Sequence, residues 1–209
     1  HIQTMEMVRT IKLHMRDVTP ETIRSFVETS EAYRLACNFV SEYIFNNGFE
    51  LRAHKLHAAL YAILRHRFGL KSQMAESVFK TVVARYKTVK EQLFEKPYKY
   101  KDENGKWQYI TRTLEWLTRP VRFSRPQADL VYNRDYSFVN GFAMLSVNTL
   151  KKRAQVSFDL PEYFKSYFDG TWKLGTAKLV SLNGDWYLHI SATRECAEEF
   201  SIENVKHIV

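Results

Sequence analysis

Residues 5 to 15, MEMVRTIKLHM, alternate apolar and polar side chains with the period of two that marks a half-buried strand. The spacing then lengthens. Thr19-Pro20-Glu21 supplies an N-cap, a proline tolerated in the first turn and an acid near the positive end of the helix dipole. Ile23, Phe26, Val27, Cys37, Val40 and Ile44 keep helical spacing until Asn46-Asn47-Gly48, which predicts one long helix. A second helix is predicted over Arg52 to His66, with Ala53, Leu56, Leu60, Ile63 and Leu64 on one face. The third has the cleanest pattern: Ser72 as its cap, Ala75, Val78, Phe79, Val82, Tyr86, Val89 and Leu93 on its buried face, and Lys80 and Lys87 together on another.

After Lys96-Pro97 the period returns to two. Tyr98-Lys99-Tyr100 and Trp107-Gln108-Tyr109-Ile110 flank Asn104-Gly105, a hairpin signal whose loop can exceed two residues. Strands are predicted at Gln127–Tyr132, Tyr136–Val139, Met144–Val147, Arg153–Phe158, Lys173–Ser181 and Trp186–Thr193, with a short helix near Pro161 to Phe168. Asn183-Gly184 marks a second hairpin. Pairing the isolated first strand with these later ones gives an α+β fold: an antiparallel β barrel interrupted by a three-helix insertion. The expected segments are a first strand over 5–18, helices over 19–96, an aromatic hairpin and connector over 97–120, and the rest of the barrel over 121–209.

Composition narrows the classes. With 209 residues, 45% of them apolar, the chain can bury a core, and no run of eighteen apolar residues suggests a membrane span. No basic-then-apolar leader opens it, and two cysteines are too few for a disulfide scaffold or a four-cysteine zinc site, so the reading is reduced and intracellular. The net charge of +8 is unevenly placed: residues 1–50 carry 5 bases and 7 acids, residues 51–160 carry 21 and 9, and residues 161–209 carry 5 and 7. A basic middle with 14% aromatics fits a polyanionic partner, because phosphates want the cations and unpaired bases want the rings.

Catalytic chemistry finds no support. Acids are scattered, and the densest group, Glu195, Glu198, Glu199 and Glu203, reads as a solvated surface. His54 and His57 lack the further ligands a zinc ion needs, and no phosphate loop or nucleophile elbow occurs. What remains are basic surfaces: Lys80, Arg85, Lys87 and Lys90 on the third helix, Arg65 and Arg67 before it, and Lys151-Lys152-Arg153 in the β half. Tyr98, Tyr100, Trp107 and Tyr109 interleave with Lys99, Lys101 and Lys106, which suits stacking on bases as well as hairpin packing.

The segments YRLACNFVSE (33–42), RHRFGLKSQMA (65–75) and ARYK (84–87) resemble the N-terminal half of TnpB proteins, the OrfB-type transposases related to type V CRISPR effectors. VNTL (147–150), VSF (156–158), AKLV (177–180) and GDWYLHI (184–190) resemble the last strands before that family's nuclease domain. The resemblance implies an oligonucleotide-binding-like wedge barrel with a helical recognition insertion, gripping guide RNA and reading a short motif beside a double-stranded DNA target. It places Ser72, Gln73, Glu76 and Lys80 in the motif-facing segment, and Tyr132, Asn133 and Arg134 in a barrel loop on the same duplex. Arg85, Lys87, Lys90 and Lys151 to Arg153 are the expected phosphate contacts. The family's RuvC-like nuclease, with its magnesium and zinc, would follow Lys206-His207-Ile208-Val209, so no cofactor and no catalysis are expected in this chain. The implied setting is cytoplasmic, prokaryotic and nucleoid-associated. The chain departs from the family pattern between Lys96 and Leu117, where the aromatic hairpin is expanded. The other readings are a stand-alone, non-cutting DNA or RNA regulator, and a protein-interaction domain whose basic surface meets an acidic partner.

Overall fold

The computed structural model describes residues 4–197; Glu198, Glu199, Glu203 and the tail from Lys206 to Val209 lie outside the described residues. Strand β1 (Thr4–Arg16) is followed by α1 (Pro20–Asn46), α2 (Ala53–Arg67) and α3 (Ser72–Glu95). The hairpin β2 (Tyr98–Lys101) and β3 (Trp107–Ile110) comes next, and then a 3-10 turn at Leu114–Trp116. Strands β4 (Ala128–Leu130), β5 (Tyr136–Val139), β6 (Met144–Val147) and β7 (Ala154–Asp159) lead to a 3-10 segment at Glu162–Phe168, and β8 (Lys173–Leu182) and β9 (Asp185–Ala197) complete the described chain.

Seven strands form one antiparallel sheet in the order β4-β8-β9-β1-β7-β6-β5. The sheet curls until its two edges nearly meet. The edges are neighbours in sequence, so the Val131–Asp135 turn brings them together, with a bridge between Tyr132 and Tyr136. Tyr136 seals the seam by donating its hydroxyl to the Gly175 carbonyl of β8 at 2.6 Å. Gly175 sits where the β8–β9 register slips, and a Cβ there would lie 3.3 Å from the Ser191 carbonyl oxygen. A side chain would press on that strand and disturb the carbonyl that Tyr136 uses.

The cap at Thr19 forms as its sequence predicts, Thr22 N–H donating to Thr19 Oγ1 at 3.2 Å. Ser72 does not cap α3. Lys71 holds the extended N-cap conformation and its carbonyl accepts from Ala75 N–H at 2.9 Å, which makes Ser72 the first helical residue and leaves it exposed. Leu56, Leu60 and Leu64 are the buried stripe of α2, whereas Ala53 and Ile63 are exposed because α2 packs along one narrow line on α3. Val27 is exposed on α1 for the same reason: the buried line runs through Phe26, Tyr33, Ala36, Cys37, Val40 and Ile44. In β1 the burial alternation begins only at Ile11, since the ladder to β9 runs on to Thr4 whereas β7 pairs only with His14 to Arg16. The strand predicted over Gln127–Tyr132 shortens to Ala128–Leu130 where the chain turns for the seam.

One apolar core joins helices and barrel. Across it runs a buried polar chain. The Tyr33 hydroxyl on α1 hydrogen-bonds Ser77 Oγ (2.7 Å) and Thr81 Oγ1 (2.8 Å) on α3. Ser77 donates to the Asp129 carbonyl of β4 (3.2 Å), Thr81 donates to the Asp129 carboxylate, and Lys178 Nζ on β8 donates to the other carboxylate oxygen (3.2 Å). These bonds tie α3 to β4, because buried polar groups that lose their partners are costly. Among the described residues no helix is long and apolar enough to cross a membrane.

Candidate nucleic-acid interface

The reversal between α2 and α3 uses Gly69 at φ +66°, a left-handed conformation that a side chain would strain. It delivers the first turn of α3 to the β4–β5 turn. There Arg134 Nη1 donates to Gln73 Oε1 at 3.2 Å, linking residues 61 positions apart. Asn133, at φ +63°, makes the tight bend that turns Arg134 outward, and Asp135 braces it from within by accepting from Val131 N–H at 2.9 Å. Asp135 is fully buried, and burial raises its carboxyl above the usual carboxylate range despite the bonds it accepts.

The loop between β6 and β7 adds a third layer. Arg153 donates through Nη1 to the Arg134 carbonyl (2.8 Å) and through Nε to Ser146 Oγ (2.9 Å). Lys71, immediately before α3, donates to Asn148 Oδ1 at 2.8 Å and also to the Lys151 carbonyl. Partial burial, with Arg153 close by, lowers the Lys71 ammonium from its usual range. Lys71, Arg134 and Arg153 thus form a cationic group, with the Asp135 carboxylate buried beneath it. Opposite-signed ligands gain from such a group, since each cation already carries the repulsion of the other two.

The residues singled out from the sequence separate into places. Gln73, Lys80 and Lys87 recur every seven residues and form one stripe about 21 Å long on α3. Glu76 turns to α2, its carboxylate 2.6 Å from His57 Nδ1. Arg85 lies over the Phe123 ring at 5.8 Å, on another side of the helix. Lys87 and Lys90 line a 440 Å³ cleft with Phe94 and Arg112 near the far end of α3. Tyr132 packs its ring 5.3 Å from Tyr136 at the seam. Lys151 and Lys152 face acids of α1, at 3.6 Å from Glu28 and 3.4 Å from Glu21, and line a 480 Å³ cleft with them. Arg153 borders the same cleft, and of that basic triplet its side chain alone reaches the group around Gln73.

Lys71 escaped the sequence reading because it stood outside the helix pattern; the KSQ run into α3 was its only signal. Arg119 and Arg122 also went unmarked, and they line a 730 Å³ groove with Arg34 and Asn38. Asn38 fastens that groove's wall by donating to the Phe123 carbonyl (3.0 Å) and accepting from Phe123 N–H (2.8 Å). Among the described residues no group of three His, Cys, Asp or Glu side chains could hold a metal ion. Compared with known proteins, the chain matches no protein-family model and no curated sequence.

Proposed function

We propose that this chain recognises guide RNA and target DNA as the wedge-and-recognition part of a TnpB-like RNA-guided nuclease, with the seven-stranded barrel as its oligonucleotide-binding-like wedge. The observation that carries the reading is the Arg134–Gln73 contact. The resemblance assigns these two segments to one duplex, and they lie within hydrogen-bond distance across 61 residues of chain. On this reading Gln73 and Arg134 address base edges of the flanking motif, with Ser72 and Asn133 beside them. Lys71 and Arg153 neutralise phosphate, and Lys80 and Lys87 follow the backbone at about 10.5 Å intervals, roughly three nucleotide steps. Catalysis, magnesium and zinc belong to nuclease machinery outside these residues. The test is selection of target duplexes with randomised flanks by the RNA-loaded protein. A short flank should be enriched, and Arg134→Ala should flatten that enrichment while retaining RNA. No enriched flank in the parent, or an unchanged one in Arg134→Ala, refutes the reading.

A further inference from the structure

The hairpin β2–β3 stands apart from the interface just described and carries its own pattern. In an antiparallel pair, directly opposed residues share a face. Lys99 opposes Tyr109 and Lys101 opposes Trp107, so one face holds two ammonium groups and two rings. Each Nζ lies close to its ring centroid, at 5.5 Å and 5.2 Å. The rings are open to solvent, Trp107 by 54% and Tyr109 by 60%. The opposite face carries Tyr98, Tyr100 and Ile110, and Tyr98 leans on Trp116 with centroids 5.9 Å apart. That contact seats the base of the hairpin by one face and leaves the lysine-and-ring face outward.

Charge on this face has one sign. Residues 96–110 hold four lysines and two acids. One of the acids is spent on the turn, Asp102 accepting from Asn104 N–H (3.0 Å), Lys106 N–H (2.9 Å) and Gln108 Nε2 (2.9 Å). Trp107 and Tyr109 are two residues apart on one strand, which sets the backbone positions that carry their rings about 6.8 Å apart. That is roughly twice the 3.4 Å rise per nucleotide of a duplex strand. Successive bases inside a duplex cannot meet both rings, whereas splayed bases of an unpaired strand can.

We propose that this face binds an unpaired nucleic-acid strand, with two bases stacked on Trp107 and Tyr109 and Lys99 and Lys101 against the phosphates between them. Ring planes and ammonium groups are indifferent to the 2′-hydroxyl, so the site takes the strand by bases and phosphates alone. It is a separate site from the Gln73–Arg134 group and does not rest on the flanking-motif reading.

The experiment is anisotropy of a short labelled oligo(dT), and of oligo(rU) of equal length, with the intact chain. Loss of each ring should weaken binding roughly 5- to 150-fold, so the Trp107→Ala, Tyr109→Ala double variant should lose most of its affinity. Trp107→Phe with Tyr109→Phe should keep most of it. Lys99→Ala with Lys101→Ala should make the salt slope shallower by about 1.4 in log–log terms. Loss of oligo(dT) binding in the hairpin variants is independent of the flank selection, so a failed flank selection would leave this result standing. Melting curves matching the parent's establish that the hairpin variants are folded. Parent-like binding by the double alanine variant, or a preference of about tenfold or more for either sugar, would overturn the proposal.

Discussion

Tyr33→Phe removes one oxygen atom from the polar chain that sets α3 against the barrel. Burial holds the Tyr33 phenol well above its ordinary range, so it is neutral, and the bonds it makes to Ser77 and Thr81 are between neutral groups. A bond of that kind contributes about 0.5 to 1.5 kcal/mol net. Ser77 and Thr81 each keep a partner in Asp129 after the change, so neither is orphaned and the larger penalty of an unpaired buried hydroxyl does not apply. The phenyl ring still fills its space. Because Ser77 and Thr81 both donate to Asp129, the one phenol proton serves a single partner at a time, so about one bond is lost without a cavity, about 1 kcal/mol, which for a chain of this size lowers Tm by roughly 2 to 4 °C. Urea unfolding of parent, Tyr33→Phe, Thr81→Val and the double variant measures it, and the cycle should return a coupling of about 0.5 to 1.5 kcal/mol between Tyr33 and Thr81. A loss below about 0.5 kcal/mol with an unchanged m-value would refute the claim that this chain pins the helices.

Other parts of the molecule give further expected outcomes. On the proposed flank-reading function, Gln73→Ala should cost roughly 1 to 3 kcal/mol of preference for the correct flank with guide binding nearly unchanged, whereas Lys87→Ala should weaken right and wrong duplexes alike and reduce the salt slope by about one unit; paired titrations on matched and mismatched targets read both. Tyr136→Phe should cost about 1 kcal/mol and speed amide exchange along β4 and β5, since its bond to the Gly175 carbonyl seals the seam. His189, lowered from 6.5 by burial and by Lys12, Arg125 and Lys178, binds its proton less readily folded than unfolded. Stability should therefore fall as pH drops below about 6.5, and His189→Gln should flatten that limb in melts between pH 5 and 7 while leaving the carboxylate-driven loss below it.

Local rules made much of this fold legible. Thr19 at its cap, the leucines of α2 and the positive-φ pair Asn183-Gly184 between β8 and β9 are dictated by residues within a turn of one another. The Asn104-Gly105 signal located its hairpin but not its loop, because the Asp102 carboxylate gathers three donors and spreads the turn over residues 102 to 106. Ser72 misled because a good capping residue one position inside a helix looks the same in sequence as one at its edge. The interface was legible as residue types and not as partners. Nothing in the KKR run distinguishes Lys151 and Lys152, which answer acids of α1, from Arg153, which reaches the carbonyl of Arg134. That division depends on where the β6–β7 loop lands, which is a tertiary matter.

The sheet order has a temporal consequence. β1 stands in the middle of the barrel, and its longest ladder joins residues such as His14 and Tyr187, about 170 positions apart. At ribosomal speeds of about 5 to 20 residues per second, the first strand waits roughly 10 to 35 s for that partner. The helices need no such delay, since α1, α2 and α3 touch one another within a contiguous stretch of chain. Synthesis therefore produces a helical hand before it produces the palm, with an unpaired β1 in between. Its outer half includes Glu6-Met7-Val8-Arg9, a short apolar pair with a charge on either side, and charges at such places discourage one nascent strand from pairing with another.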